Sequence, residues 1–178
     1  FNSVYYNHFY TIIMSTEFEK RIKKIKLVIT DVDGVLTDGG MYYNDEGEYM
    51  KKFNTKDSMG MELLLENGIK TIFMTRENSK IVKERVKKIK IVELYSNIVK
   101  KEKMIPEILE KYDVVPNQIA YIGDDVNDLQ IMNAVGFSAT PSDGNYIIKK
   151  NVDYTCEVAG GMGAFREFAD LINKKKTD

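Results

Sequence analysis

The 178-residue sequence has very few of the residues that form disulfides and zinc sites. Its one cysteine, Cys156, has no second cysteine to pair with inside the chain. Its one histidine, His8, lacks the further histidine or cysteine ligands that a zinc site needs. An internal disulfide and a zinc site of this kind are therefore excluded, and the free cysteine favours a reducing, cytoplasmic location.

Long apolar runs and an excess of one charge are also missing. The apolar segment 1–13 is shorter than the about 20 residues that span a bilayer, and it lacks the basic start and cleavage site of a signal peptide. Lysine and arginine (26) nearly balance aspartate and glutamate (27), so no broad basic face is indicated. We expect binding to neither membrane nor nucleic acid. We also expect residues 1–13 to be an extension, with the natural start at Met14, and residues 14–178 to form a single domain.

Apolar patterning predicts strands that alternate with helices. Short apolar runs, typical of buried strands, are followed by apolar residues at helical spacing. The expected strands are 25–29, 69–74, 91–94, 119–122 and 137–140, and the expected helices lie near 61–65, 82–89, 105–112, 126–134 and 165–172. This alternation favours an α/β fold, with a Rossmann-like, mostly parallel sheet and helices on both faces. Aromatic runs on either side of Asn44–Gly47 add a projecting β-hairpin within 39–53.

Carboxylates stand at the ends of two predicted strands. Asp31 and Asp33 follow the first strand, and Asp124 and Asp125 follow the fourth. Side chains alternate along a strand, so Asp31 and Asp33 would lean the same way on strand geometry alone. Open α/β sheets bind ligands at the carboxyl ends of their strands, and crowded carboxylates repel unless a cation or a shared proton joins them. Magnesium prefers such oxygens, so a magnesium site is expected here.

Three more polar residues suit phosphate chemistry at the same edge. Asp128, one helical turn after Asp124, would support the acidic cluster. Thr75 follows the second strand, and its hydroxyl can donate a hydrogen bond to a phosphoryl oxygen. Lys101 begins a predicted helix and offers a positive charge to a phosphate. Alternatively, the strand ends are ordinary Asx-rich turns, and Lys101 and its lysine neighbours are a solvated face.

Taken in this order, the motifs resemble those of the haloacid dehalogenase superfamily of phosphatases. The resemblance implies that Asp31 is the nucleophile that takes the phosphoryl group, and that Asp33 is the general acid and then the general base. It implies magnesium held by Asp31, the backbone carbonyl of Asp33, and Asp124, with Asp125 and Asp128 in support. Thr75 and Lys101 would bind the phosphoryl oxygens, where positive charge lets an anionic nucleophile approach.

The spacing leaves no room for a separate cap domain. Only 44 positions separate Asp31 from Thr75, and 26 separate Thr75 from Lys101. A capless site is open to water, so we expect a neighbouring subunit to close it. Capless members that resemble this chain are tetramers whose hairpins pack together at the centre, which implies a homotetramer.

Four segments look like the family of 3-deoxy-D-manno-octulosonate 8-phosphate phosphatases and their nonulosonate 9-phosphate relatives. They are Asp31–Gly39, Phe53–Asp57, Tyr121–Asp125 and Gly160–Glu167. The substrate contacts that this resemblance implies are Asp33, Asn54, Thr55, Lys56, Asp57, Ser58, Arg85 and Lys101. The Gly160–Gly161 segment would pack near the site of a neighbouring subunit.

Specificity is predicted from the residues after Thr75. The octulosonate group usually has Thr-Gly-Arg where this chain has Thr75-Arg76-Glu77, and a glutamate cannot hold a sugar carboxylate as arginine does. The nonulosonate branch resembles this chain better, with a glutamate here and a lysine eleven positions on, Glu77 and Lys88. We therefore favour a nine-carbon 2-keto-3-deoxy sugar acid 9-phosphate, with the eight-carbon 8-phosphate as the alternative. Arg76 replaces a glycine common to both groups, and the other interpretation of Glu77 and Lys88 is surface charge.

Two functions of other classes are open. A domain like this also occurs in acylneuraminate cytidylyltransferases, where it serves in assembly, so the chain would be a tetramerising module. A transferase or phosphomutase would share the aspartyl phosphate and pass it to a sugar. The intact acids together with Thr75 and Lys101 favour catalysis over a scaffold, and the missing cap favours transfer to water.

Overall fold

The computed structural model of the chain describes residues 17–90 and 92–177, so the expectation for residues 1–13 lies outside the described residues. Its strands in chain order are β1 (Leu27–Thr30), β2 (Tyr42–Asn44), β3 (Gly47–Met50), β4 (Lys70–Met74), β5 (Val92–Tyr95), β6 (Ile119–Ile122), β7 (Phe137–Thr140) and β8 (Tyr154–Thr155). Six of them form one parallel sheet in the order β5-β4-β1-β6-β7-β8. The predicted α/β fold with a parallel sheet is confirmed.

Helices cover both faces of this sheet. They are α1 (17–23), α2 (Thr55–Glu66), α3 (Lys80–Ile89), α4 (Ile105–Tyr112), α5 (Leu129–Ala134), α6 (Tyr146–Lys149) and α7 (Ala164–Thr177). Apolar residues of α1, α2, α3 and α7 pack on one face, and those of α4, α5 and α6 pack on the other. None of the helices in the described part is long and apolar enough to cross a membrane.

Strand β1 lies inside the sheet, between β4 and β6, and all four of its residues are buried. Val28 packs into the apolar layer on one face, while Leu27 and Ile29 pack into the layer on the other. A strand buried on both faces has an uninterrupted apolar sequence, which is how it was recognised. The residue that follows Thr30 therefore emerges near the middle of the sheet's carboxyl edge.

The predicted hairpin is formed by β2 and β3, which pair antiparallel outside the main sheet. The turn between them leads into Gly47 at the start of β3, whose φ of 117° is unfavourable for residues with a Cβ. Four large apolar side chains of the hairpin region are exposed: Met41, Tyr43, Tyr49 and Met50. The hairpin therefore presents an apolar surface to its surroundings.

Three of the labelled elements were not predicted: helix α1, the two-residue strand β8 and the four-residue helix α6. The helix expected over 126–134 is divided, because its first three residues form a 3₁₀ turn before α5 begins at Leu129. Helix α2 is longer than expected, since the side chain of Asn54 accepts a hydrogen bond from Lys56 N and caps the helix well before its apolar residues.

Candidate active site

Asp31 follows β1 directly and is 6% exposed. Its Oδ1 accepts a hydrogen bond of 2.6 Å from the backbone N–H of Val32. Its Oδ2 lies 2.7 Å from Nζ of Lys101. One carboxylate oxygen is thus held by the backbone and the other by a cation, which fixes the orientation of the group.

Lys101 has a side chain that is only 1% exposed. Its Nζ lies 2.7 Å from both Asp31 Oδ2 and Asp128 Oδ1, and it donates to the hydroxyl of Tyr121 at 3.0 Å. Burial lowers the pKa of Lys101, but the two carboxylates outweigh burial and leave that pKa above its ordinary value. The solvated-face interpretation of Lys101 is therefore wrong, because this lysine is a buried cation.

An acidic cluster surrounds this ammonium. Asp31, Asp124 and Asp128 each have a carboxylate oxygen within 4.8 Å of the others. Burial and, next in size, the charge of Asp128 raise the pKa of Asp31 to about 8 and that of Asp124 to about 7. Because a divalent cation relieves such repulsion and magnesium prefers carboxylate oxygens, this donor set fits Mg²⁺.

Asp128 is fully buried, and both of its oxygens have hydrogen-bond donors. Oδ1 accepts from Lys101 and, at 2.6 Å, from Tyr121, while Oδ2 accepts from the backbone N–H of Asp124 at 3.2 Å. These bonds suit the predicted supporting role. Asp125, by contrast, is exposed, and its Oδ1 accepts from Val126 N and from the side chain of Asn145. Its carboxylate therefore caps the next turn and lies outside the cluster of three.

Asp33 lies in the turn after β1, so strand alternation does not extend to its side chain. Its Oδ1 accepts a hydrogen bond of 2.6 Å from Lys51 Nζ, and the hydroxyl of Thr37 donates to the same oxygen at 3.4 Å. Its Oδ2 is buried without a hydrogen-bond partner. The contact of Lys51 with Asp33 was not predicted from the sequence, because nothing in the Lys51-Lys52 pair distinguishes a buried lysine from an exposed one.

Glycines allow three segments to meet around this turn. Gly34 has φ of 83°, and a Cβ there would lie 2.0 Å from Oδ2 of Asp124. A Cβ at Gly160 would lie 2.0 Å from the carbonyl oxygen of Gly34, and Gly161 N donates to Val35 O at 2.9 Å. The structure places the segment against the loop after β1 in its own chain, and its expected packing near a neighbouring subunit's site stays a prediction.

Thr75 directly follows β4, the strand next to β1, and is buried. Its backbone N–H donates to Tyr95 O at 2.9 Å, and its Oγ1 accepts a hydrogen bond of 3.0 Å from Glu77 N. A hydroxyl that accepts a hydrogen bond keeps its own hydrogen to donate. Thr75 and Asp31 therefore directly follow adjacent strands, at the same edge of the sheet as the sequence predicted.

The start of α2 lies beside the same loop. Asn54 Nδ2 donates to Gly161 O at 3.4 Å, which brings the cap of α2 to the Gly160–Gly161 segment. Thr55 and Lys56 are exposed in the first turn of the helix. These positions fit their predicted contact with a substrate, which stays a prediction.

Three other predicted substrate residues line a small cavity between α2 and α3, of about 10 Å³. Asp57 is buried, and its Oδ1 accepts from Arg166 N at 3.0 Å. Arg85 donates to the hydroxyl of Ser58 and lies over the ring of Phe53, 5.5 Å from its centroid. Burial raises the pKa of Asp57 to about 6. In this chain these three side chains hold helices together, and their contact with substrate stays a prediction.

Glu77 and Lys88 are exposed and lie at opposite ends of α3. Glu77 precedes the helix, on the side of the sheet where Thr75 emerges, next to the exposed Arg76. Lys88 lies in the last turn, and a ten-residue helix is about 15 Å long. Within one chain the two residues therefore do not meet, so their joint role as specificity residues stays a prediction.

A family model described as haloacid dehalogenase-like hydrolase matches residues 11–163. The chain belongs to this family. It is 36% identical over 159 residues to the 3-deoxy-D-manno-octulosonate 8-phosphate phosphatase KdsC of Salmonella typhi, which covers 89% of this chain and 85% of the relative. The corresponding enzyme of Haemophilus influenzae is 36% identical over 154 residues, or 86% of each chain.

Solved structures agree with the relationship. The cobalt-bound form of the Haemophilus influenzae phosphatase has a TM-score of 0.85 at 35% identity and covers 88% of this hydrolase and 92% of that chain. The Moraxella catarrhalis phosphatase, in complex with magnesium, phosphate and KDO, has a TM-score of 0.86 at 33% identity, with 90% and 92% coverage. The predicted family and the magnesium cofactor are confirmed, and the acidic cluster of this hydrolase has a donor set that fits such a cation. The assignment of these residues as its ligands stays a prediction.

Proposed function

We propose that this hydrolase is a magnesium-dependent phosphatase for the phosphate ester of a 2-keto-3-deoxy sugar acid, with 3-deoxy-D-manno-octulosonate 8-phosphate as its substrate. The contact between Asp31 and the buried Lys101 carries the proposal, because it joins a nucleophile to a cation beside a metal site. The relatives named above support the eight-carbon substrate over the nine-carbon one that the sequence favoured.

In the proposed reaction, a carboxylate oxygen of Asp31 attacks phosphorus and forms an aspartyl phosphate. The bond to the sugar oxygen breaks, and Asp33 gives that oxygen its proton. Asp33 then takes a proton from water, whose oxygen attacks phosphorus and releases Asp31 and inorganic phosphate. Asp33 has one buried oxygen without a partner, which suits a group that exchanges a proton with a ligand.

Positive charge makes this attack of an anion on an anion feasible. Lys101 Nζ already contacts Asp31, and a phosphoryl oxygen beside that carboxylate would come within its reach. The Thr75 hydroxyl offers a further donor at the end of the adjacent strand. When bound by Asp31, Asp124 and the carbonyl of Asp33, magnesium supplies further neutralisation of the phosphoryl charge.

A nine-carbon 9-phosphate is the second candidate, and one observation favours it. Glu77 is exposed directly after β4, where its carboxylate can accept hydrogen bonds from the hydroxyls of a longer polyol. Lys88 of the same chain lies at the other end of α3, so its part in recognition requires a neighbouring subunit.

We also infer that the protein is a homotetramer in which neighbouring subunits close the site. The exposed apolar side chains of the hairpin, with Met41 at 67%, support an assembly surface there. This surface lies outside the main sheet, so subunits can pack through it without disturbing the fold.

The test is phosphate release with magnesium from 3-deoxy-D-manno-octulosonate 8-phosphate, 2-keto-3-deoxynononate 9-phosphate and N-acetylneuraminate 9-phosphate, compared as kcat/KM. We expect the eight-carbon compound to be preferred by at least about tenfold, a difference of about 1.4 kcal/mol. Preference for a nine-carbon acid would overturn the substrate and favour the second candidate. No catalytic release from any of the three would overturn the phosphatase and favour the assembly module.

A further inference from the structure

Lys51 is a buried cation held between two carboxylates. Its side chain, just after β3, is 3% exposed, and its Nζ lies 2.6 Å from Asp33 Oδ1 and 2.7 Å from Glu48 Oε1. Burial lowers the pKa of Lys51, but the hydrogen bonds to the two carboxylates outweigh burial and leave that pKa above its ordinary value. The ammonium is therefore charged where it meets Asp33.

This contact distinguishes the two oxygens of Asp33. Oδ1 is bound to Lys51 and Thr37, whereas Oδ2 is buried without a partner. When one oxygen of a carboxylate is held by hydrogen bonds, rotation about the Cβ–Cγ bond is restricted, so the other oxygen keeps a constant direction. A general acid must hold its proton at a defined position relative to the leaving oxygen.

The opposite side of Lys51 is anchored to a different part of the fold. Glu48 belongs to β3, and its Oε2 accepts a hydrogen bond from the hydroxyl of Ser79, which also caps α3. The ammonium thus connects the loop after β1 to the hairpin and to the start of α3. Its position is therefore also set by elements outside that loop.

We propose that Lys51 is a positioning residue that binds Asp33 by Oδ1 and so presents Oδ2 to the oxygen of the departing alcohol. This inference rests on the proposed role of Asp33 as general acid. It assigns Lys51 no contact with the reacting atoms.

A positioning role of this kind predicts that the effect of losing Lys51 depends on the leaving group of the substrate. An alkyl alkoxide leaves only with a proton, whereas 4-nitrophenolate is a weak base and leaves without one. Because kcat/KM reports steps up to the departure of the alcohol, it isolates the action of Asp33 as acid from its later action as base. General acid catalysis contributes about 10²–10⁴-fold, and loss of positioning removes part of that.

The experiment compares Lys51→Met with the wild type on 3-deoxy-D-manno-octulosonate 8-phosphate and on 4-nitrophenyl phosphate. We expect kcat/KM to fall by about 10–100-fold for the sugar acid phosphate and by less than about threefold for the aryl phosphate. The matched control is Lys52→Met, because Lys52 is exposed and its ammonium contacts Met162 Sδ rather than Asp33. We expect wild-type values for both substrates.

A double-mutant comparison gives a second criterion. In an Asp33→Asn background, Lys51→Met should cause no further loss with the sugar acid phosphate, since it acts only through Asp33. Lys51→Gln is one atom shorter than lysine but keeps a hydrogen-bond donor. If the methionine variant does not fold, Lys51→Gln carries the test, with a smaller loss that is again confined to the sugar acid phosphate.

Equal losses for the two substrates, or a full additional loss in the Asp33→Asn background, would overturn the positioning role. An unchanged kcat/KM for the sugar acid phosphate in Lys51→Met would overturn it as well. Failure of the proposed function is separate, because it would appear in the wild type as no phosphate release from either ester.

Discussion

The carboxylate of Asp31 and the ammonium of Lys101 lie 2.7 Å apart, and both side chains are almost completely removed from water. Each offsets part of the cost of burying the other's charge, since an unpaired buried charge is costly. The pair therefore connects the stability of the fold to the chemistry of the site.

Replacing the nucleophile should separate these two properties. Asp31→Asn should lower kcat by more than about 10³-fold, because an amide cannot form the aspartyl phosphate. Circular dichroism and thermal melting should show a folded protein. Asp113→Asn is the control, because Asp113 is exposed and has a φ of 51° that asparagine also accepts. Retained turnover in Asp31→Asn would contradict the assignment of Asp31 as the nucleophile.

Removing the cation should instead unfold the protein more easily. Lys101→Met leaves the buried carboxylates of Asp31 and Asp128 without their counter-charge, so we expect a loss of about 3–5 kcal/mol of unfolding free energy in urea. Lys103→Met, at an exposed neighbour, should change it by no more than about 0.5 kcal/mol. Equal stabilities of the two variants would contradict the structural role of Lys101.

Magnesium should stabilise the protein as well as activate it. A ligand that binds only the folded state raises its melting temperature, so melting should shift upward as Mg²⁺ is added. Asp124→Asn should reduce this shift, because it removes a carboxylate from the cluster. Chelation should stop phosphate release reversibly. An identical shift in Asp124→Asn would place the ion elsewhere.

Asp57 should make the stability of the fold depend on pH in the opposite direction to a salt-bridged acid. Its pKa rises from 3.8 to about 6 through burial, so the folded state holds the proton over a range where the unfolded chain has lost it. Stability should therefore fall as pH rises from about 4 to about 7, by on the order of 2–3 kcal/mol from this group.

The measurement for Asp57 is urea unfolding at pH 5 and at pH 7.5, with magnesium absent. Asp57→Asn should lose less stability than the wild type between these two values, because an amide does not titrate. Parallel losses in the two proteins would show that Asp57 does not titrate in this interval.

The hairpin should hold the proposed tetramer together. Tyr43→Glu places a charge on an exposed apolar surface that we expect to be buried between subunits, so sedimentation should give a smaller species. Val115→Glu, at another exposed apolar residue, should leave the mass unchanged. A monomeric wild type, or a Tyr43→Glu tetramer, would contradict the assembly through the hairpin.

Much of the fold was predictable because strands buried on both faces have continuous apolar sequences. The strand expected over 119–122 is β6, and the polar residues after β1, β4 and β6 marked one edge of the sheet. Strand β8 and helix α6 were not predictable, because elements of two and four residues are too short to show a period.

The contacts of Asp33 illustrate what the sequence could not supply. Gly34, with a positive φ, turns the chain after the strand has ended, so alternation gave no guide to the direction of Asp33. Its partner Lys51 lies 18 positions away, across a hairpin whose angle to the sheet depends on packing. The same limit applied to Lys88, whose distance from Glu77 follows from the direction of α3.

The contact of Gly160 and Gly161 with the loop after β1 also affects when, during synthesis of the chain, the active-site loop is completed. The support for the nucleophile's loop is translated long after the loop itself, and the bond from Asn54 to Gly161 joins residues 107 positions apart. In a nascent chain, β1 can pair with β4 and β6 once those strands have been made. The loop after β1 still lacks its contact with the Gly160–Gly161 segment until that segment leaves the ribosome. A chain terminated before Gly160 would carry all the reactive side chains and still lack the segment that holds their loop in place.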